Sequence, residues 1–289
     1  MSAPVKHTAF DTSHPLVAAV YLALTLVMTM SSLQPVLILI SLLGALACGC
    51  CLRGAAATAA GLRWQLPIIA IIALLNPIFS ASGATELFRI GVRAVYLESV
   101  CYGVAMGALL VASMTWLQVA SELLPFDKVM TLFGNVAPVI ALMLSMTMRL
   151  VPRFLRKGRM VSAVHGSITL SDRRALDEVR GRMRLSSILM GWGMEDSLET
   201  ADAMRARGWG GAPRRTTYTR HRLSSLDVLA TGLLIAFGAM VAALAFVATS
   251  QFGFFPRMSQ LVPWWGYIPY AAWMAVPVVL HIQVGRSLT

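Results

Sequence analysis

The residues with the most chemistry to offer are basic. Between Arg149 and Arg222 lie 16 of the chain's 24 lysines and arginines. Glu195, Asp196, Glu199 and Asp202 crowd one part of this stretch, and Arg205 and Arg207 close it. That order predicts a helix from about Met194 to Arg207 whose charges complement its dipole. Gly208 follows where a left-handed C-terminal cap is expected. At about 100° per residue, Met194, Leu198 and Ala201 share one side of this helix. Arg207 points to the opposite side, with only Ala203 and Ala206 near it. Such a helix can lie on an apolar surface and offer one guanidinium to the cytosol, where a planar fork of donors suits carboxylates.

Chemistry on a substrate has little support. The chain lacks a G-x-x-x-x-G-K-[ST] phosphate loop and an H-E-x-x-H pair. His7, His14, His165, His221 and His281 are scattered and form no metal set. Cys48, Cys50 and Cys51 cluster at the end of an apolar run, with Cys101 in another, and read as small apolar residues of membrane helices. No nucleophile–base pair stands out. The expectation is a non-enzymatic chain that binds no metal or cofactor of its own.

Composition sets the elements that must position Arg207. Of 289 residues, 57% are hydrophobic and 13% charged, yet the formal net charge is +11. Soluble domains carry about 25% charged residues. A cytosolic enzyme, a disordered chain and a nucleic-acid binder are all disfavoured, and a polytopic membrane protein is favoured. Six apolar stretches approach the roughly 20 residues a crossing needs. They are Pro15 to about Ser31, Pro35 to Leu52, Trp64 to about Ala81, about Val95 to Val119, Val228 to Thr249, and Val262 to Ile282. Val136 to Met148 is apolar but short, which leaves a re-entrant helix or a seventh crossing open.

With six crossings, the positive-inside rule puts 21 basic residues in the cytoplasm and only Arg89, Arg93 and Arg257 outside. Both termini then lie inside. Trp264, Trp265, Tyr267 and Tyr270 read as an aromatic anchor at the outer interface. Gly103 and Gly107, Gly232 and Ala236, and Gly238 and Ala242 have the spacing of close helix packing, within this chain by default. The expected fold is all-α: a four-span membrane region over 1–122, cytoplasmic helices over 123–225, and a two-span membrane region over 226–289. In the middle region Pro152 is expected to open a helix with Arg149, Arg153 and Arg156 on its basic side, and Leu176, Val179 and Met183 mark another.

Several pieces of the chain, in order, resemble one family. Ser197 to Gly210 reads S-L-E-T-A-D-A-M-R-A-R-G-W-G and is similar to the second Ala-Arg-Gly signature of the transmembrane T component of energy-coupling factor (ECF) transporters. L-L-N-P-I-F at Leu74–Phe79 resembles the family's Asn-Pro element, and Leu97–Gly107 its fourth-span opening. Phe126–Phe133 and Pro138–Phe154 resemble the entry to its coupling helices.

The resemblance implies a scaffold that links two cytosolic ABC-type ATPase subunits to a separate substrate-binding membrane subunit. ATP is used by the partners, in uptake of a vitamin or metal ion across the cell membrane. It assigns ATPase binding to Ala206, Arg207 and Gly208, the intact second motif. The first motif would be Ala163, Val164, His165 and Gly166, where His165 replaces the arginine. That end could use His165, use Arg159, or bind a different ATPase surface. Arg149, Pro152 and Arg153 would support the coupling helix. Anionic lipid at the basic region is compatible with this role. The alternative is a stand-alone permease or channel. It would need intramembrane charge, and only Glu86 and Glu98 lie near span mouths.

Overall fold

Two prolines start the first two helices. His14 caps α1 (Pro15–Ser31) by accepting the Leu16 N–H on Nδ1, and Pro15 fills a first-turn position that has no partner for an N–H. Pro35 does the same for α2 (Pro35–Arg53), which ends on Gly54 at φ +92°. The computed structural model describes residues 14–79, 83–90, 93–168, 175–209, 224–260 and 263–287. The remaining described elements are α3 (Ala55–Phe79), β1 (Glu86–Ile90), β2 (Arg93–Tyr96), α4 (Leu97–Leu123), α5 (Phe126–Val136), α6 (Pro138–Ile168), α7 (Ala175–Ala206), α8 (Ser225–Ser250) and α9 (Tyr267–Ser287). The chain divides into two compact units: Met1–Val129 with His221–Thr289, and Met130–Arg220.

Among the described residues, α2, α3, α4 and α8 are long and apolar enough to cross a membrane. The first helix is apolar but has 17 residues. The last, at the expected sixth span, has 21 and carries Pro277, His281 and Gln283. This is the build of an all-α membrane protein, with one antiparallel β-hairpin that the helical reading did not include.

Three boundaries differ from expectation. The third helix begins at Ala55, one residue after Gly54, so Arg63 sits inside it and not in a loop. The Ala55–Gly61 run is short of large apolar side chains but rich in alanine, the best helix former. The short apolar stretch does not stand alone: Val136 ends α5, and Pro138–Met148 is the first part of the 31-residue α6, which continues to Ile168. Pro152 opens nothing and lies inside that helix.

The first unit is held by a core and by polar bonds inside it. Tyr21, Trp116, Trp273, Tyr270, Met28 and Leu37 are fully buried. Tyr21 donates its hydroxyl to the Trp273 carbonyl at 3.0 Å, and Trp273 Nε1 donates to Thr25 Oγ1 at 2.9 Å. Trp116 Nε1 donates to Ser41 Oγ at 3.1 Å, and Ser41 also bonds Thr29 at 2.9 Å. These bonds join α1 to α9, and α1 and α4 to α2. Hydrocarbon offers no water, so each N–H needs a partner from the protein. Tyr270, expected at the outer interface, belongs to this core, while Trp265 is exposed.

The glycine pairs separate by environment. A Cβ on Gly103 would stand 2.9 Å from Ala73 Cα, and one on Gly107 would stand 2.9 Å from Ile69 Cα. This pair is therefore the α3–α4 contact. Gly238 is tight against Leu24 and Trp273, but Gly232 faces open space.

Two measurements check this packing by thermal or denaturant unfolding in detergent. Gly107→Ala should destabilise by about 1–3 kcal/mol through overpacking, whereas Gly232→Ala should be neutral or gain up to about 1 kcal/mol. Ser41→Ala should cost about 1–3 kcal/mol by stranding the Trp116 N–H. Adding Trp116→Phe in that background should cost less than it does alone.

Candidate functional site

The described residues of the basic region lie on two long antiparallel helices, α6 and α7. Leu142, Met146, Leu150, Phe154 and Val161 recur along one half-buried side of α6. Leu185, Leu189, Trp192, Asp196, Thr200 and Met204 do the same on α7. The two rows meet in opposite directions. Arg153 lies 3.9 Å from Asp196, Phe154 packs on Trp192 with ring centroids 5.2 Å apart, and the site of a Gly158 Cβ is 3.5 Å from Leu189. The α6 row continues across Pro152, which explains why the proline does not end the helix: packing on both sides of it outweighs the lost backbone bond.

The expected short helix from Met194 is the last part of the 32-residue α7. Gly191 and Gly193 look like breakers, yet the helix passes through both. A Cβ at Gly193 would stand 2.4 Å from Phe154 Cζ, so this glycine is the notch that admits the ring. The dipole argument changes accordingly. Glu195, Asp196, Glu199 and Asp202 do not lie in a first turn but toward the C-terminal end, where the dipole opposes them. Arg205 and Asp202 form an exposed ion pair at 3.5 Å, a contact worth little on a surface.

At the end itself the cap is as the glycine suggests. Gly208 has φ +76°. Its N–H bonds the Arg205 carbonyl at 2.9 Å, and the Trp209 N–H bonds the Met204 carbonyl at 3.0 Å. Those two bonds define a Schellman motif. Arg207 is the capping residue, and Ala206, Arg207, Gly208 and Trp209 are all exposed.

The other candidate residues lie at the far end of the pair. Ala163, His165 and Gly166 occupy the last turns of α6, and Ala163 is exposed; the side-chain positions of His165 and Gly166 lie outside the described residues. So do Arg173, Arg174, Arg214, Arg215, Arg220 and Arg222. Continuing the register Gly158–Leu189 sets His165 level with Arg182. At about 1.5 Å per residue, the two motifs are roughly 35–40 Å apart along the hairpin. Arg149, Arg153 and Arg156 are exposed on α6 between them.

Among the described residues, nothing covers the apolar side of α7. Met183, Met190, Met194 and Leu198 are each more than 65% exposed. They lie on the side of α7 away from the seam, as 100° steps from Leu189 and Trp192 require. Exposed Ile140, Leu144, Met148, Val151 and Leu155 form a second apolar row on α6.

Elsewhere, Glu98 is buried at the start of α4. It accepts from Thr85 N–H at 3.2 Å and Thr85 Oγ1 at 2.9 Å, tying the residues before the β-hairpin to the helix. Among the described residues no group of three His, Cys, Asp or Glu side chains could hold a metal ion.

No family model matches the chain, and no curated protein matches it.

Gly208→Ala puts a Cβ at a left-handed position and should cost about 1 kcal/mol. Faster amide hydrogen exchange at Gly208 and Trp209 is the expected reading.

Proposed function

We propose that the chain is the transmembrane coupling subunit of an ECF-type ABC transporter. It crosses the cell membrane about six times, with both termini and the α6–α7 region in the cytoplasm. The observation that carries this reading is Arg207, exposed on a Schellman-capped helix end of an antiparallel pair, in a sequence that resembles the family's Ala-Arg-Gly signature. A guanidinium held there on a fixed backbone suits an acidic groove. The second motif-like segment at the opposite end of the pair suits a second contact on a paired partner.

In this reading the partners are two cytosolic ATPases, which use ATP, and a membrane subunit that binds a vitamin or metal ion. This chain binds neither ATP nor the transported substrate. ATP-driven movement of the ATPases is passed through α6 and α7 to the substrate subunit.

The test is co-purification of the ATPases from detergent. Losing one partner of an interfacial ion pair costs about 2–5 kcal/mol. Arg207→Glu should therefore abolish association while membrane insertion is unchanged. His165→Ala should lose less, because a neutral imidazole lacks the guanidinium's fork. Undiminished ATPase on Arg207→Glu would sink the docking assignment, and an equal loss in both variants would make the His165 end a full anchor.

A further inference from the structure

Four contacts gather at one level of the helix pair. Phe154 stands against Trp192, edge to face, with centroids 5.2 Å apart. Lys157 Nζ lies 5.0 Å from the centre of the same indole ring. Gly193 gives the Phe154 ring the space a Cβ would occupy. Arg153 reaches Asp196 at 3.9 Å. Trp192 is thus held by an aromatic edge and by a cation, both from α6.

The level is also special by position. Phe154 is roughly 16 Å along α6 from His165, and Trp192 roughly 22 Å along α7 from Arg207, at 1.5 Å per residue. The aromatic crossing therefore lies between the two candidate docking ends and touches neither. Away from it, the row on each helix is mostly aliphatic, and aliphatic side chains set a crossing angle less sharply than a ring seated in a glycine notch.

We infer that Trp192 is a positioning residue: with Phe154 and Gly193 it forms the rigid crossing that makes the two ends of the hairpin move as one body. As a coupling element this rests on the docking reading above; as a mechanical element it does not. If the crossing slackens, an ATPase can still bind at Arg207, but a displacement there is absorbed as a change of helix angle instead of being passed on.

The test is a pulsed electron-paramagnetic-resonance distance measurement on the full chain. Cys48, Cys50, Cys51 and Cys101 are replaced by serine, and nitroxides are placed through Met160→Cys and Asp202→Cys. Both positions are exposed, and they are separated by roughly 22 Å along the axis. The wild-type background should give one narrow distribution. Trp192→Ala should widen it about two-fold, because packed interfaces hold one arrangement and cavities release it. Trp192→Phe should restore most of the sharpness.

Gly193→Ala should also widen the distribution, and Phe154→Leu in that background should narrow it again. In complexes purified with the ATPases, Trp192→Ala should keep co-purification and ATP hydrolysis within about two-fold of wild type. An unchanged width in both Trp192→Ala and Gly193→Ala would overturn the inference. So would co-purification and hydrolysis falling in step with the broadening, since that marks Trp192 as a general fold residue. If no ATPase accompanies the wild-type chain, the docking reading fails, while the widths measured on the chain alone still decide the crossing.

Discussion

Inside hydrocarbon no water can accept a hydrogen bond from an indole, and the first unit is arranged around that constraint. Trp116 and Trp273 are fully buried, and each N–H finds a hydroxyl: Ser41 for one, Thr25 for the other. Those hydroxyls are in turn engaged with Thr29 and with the Tyr21 carbonyl. The bonds fix rotation and depth of α1, α2, α4 and α9 against each other, which apolar packing between greasy helices does poorly. Close approach at Gly103, Gly107 and Gly238 supplies the dispersion contacts around them.

The second unit solves a different problem. Its helices meet along one row each, and among the described residues their other sides are exposed: an apolar row on each, arginines on α6, carboxylates toward the end of α7. Exposed apolar rows of this kind suit contact with lipid or with another chain. The capped end at Gly208, by contrast, presents Arg207 beside an exposed Trp209, on a backbone that cannot fray without breaking two hydrogen bonds. Apolar flanks and an arginine held at a fixed helix end suit the proposed coupling role.

Much of this was legible in the sequence, for identifiable reasons. Pro15 and the end of the first apolar run place α1 at Pro15–Ser31, and Gly208 marks the C-terminal cap of α7. What was hidden depends on tertiary contact. Nothing local reveals that Pro152, Gly191 and Gly193 lie inside long helices; the facing rows of α6 and α7 override each breaker. The carboxylates from Glu195 to Asp202 suggested a helix start because that is where isolated helices favour them. The β-hairpin has a local signal of its own: Arg89 and Arg93 set among Phe88, Ile90 and Val95, around Gly91. Tyr270 looked like an interfacial ring from its neighbours Trp264, Trp265 and Tyr267, and only the fold turns it inward.

The central claim is that a non-catalytic membrane chain carries an ATPase pair on one helical hairpin. Native mass spectrometry of the chain, extracted gently from the membranes in which it is made, tests it most directly. The expected species is one copy of this chain with two ATPase subunits and a further small membrane protein. A chain that flies alone or only with copies of itself, under conditions that keep other membrane complexes whole, would contradict it.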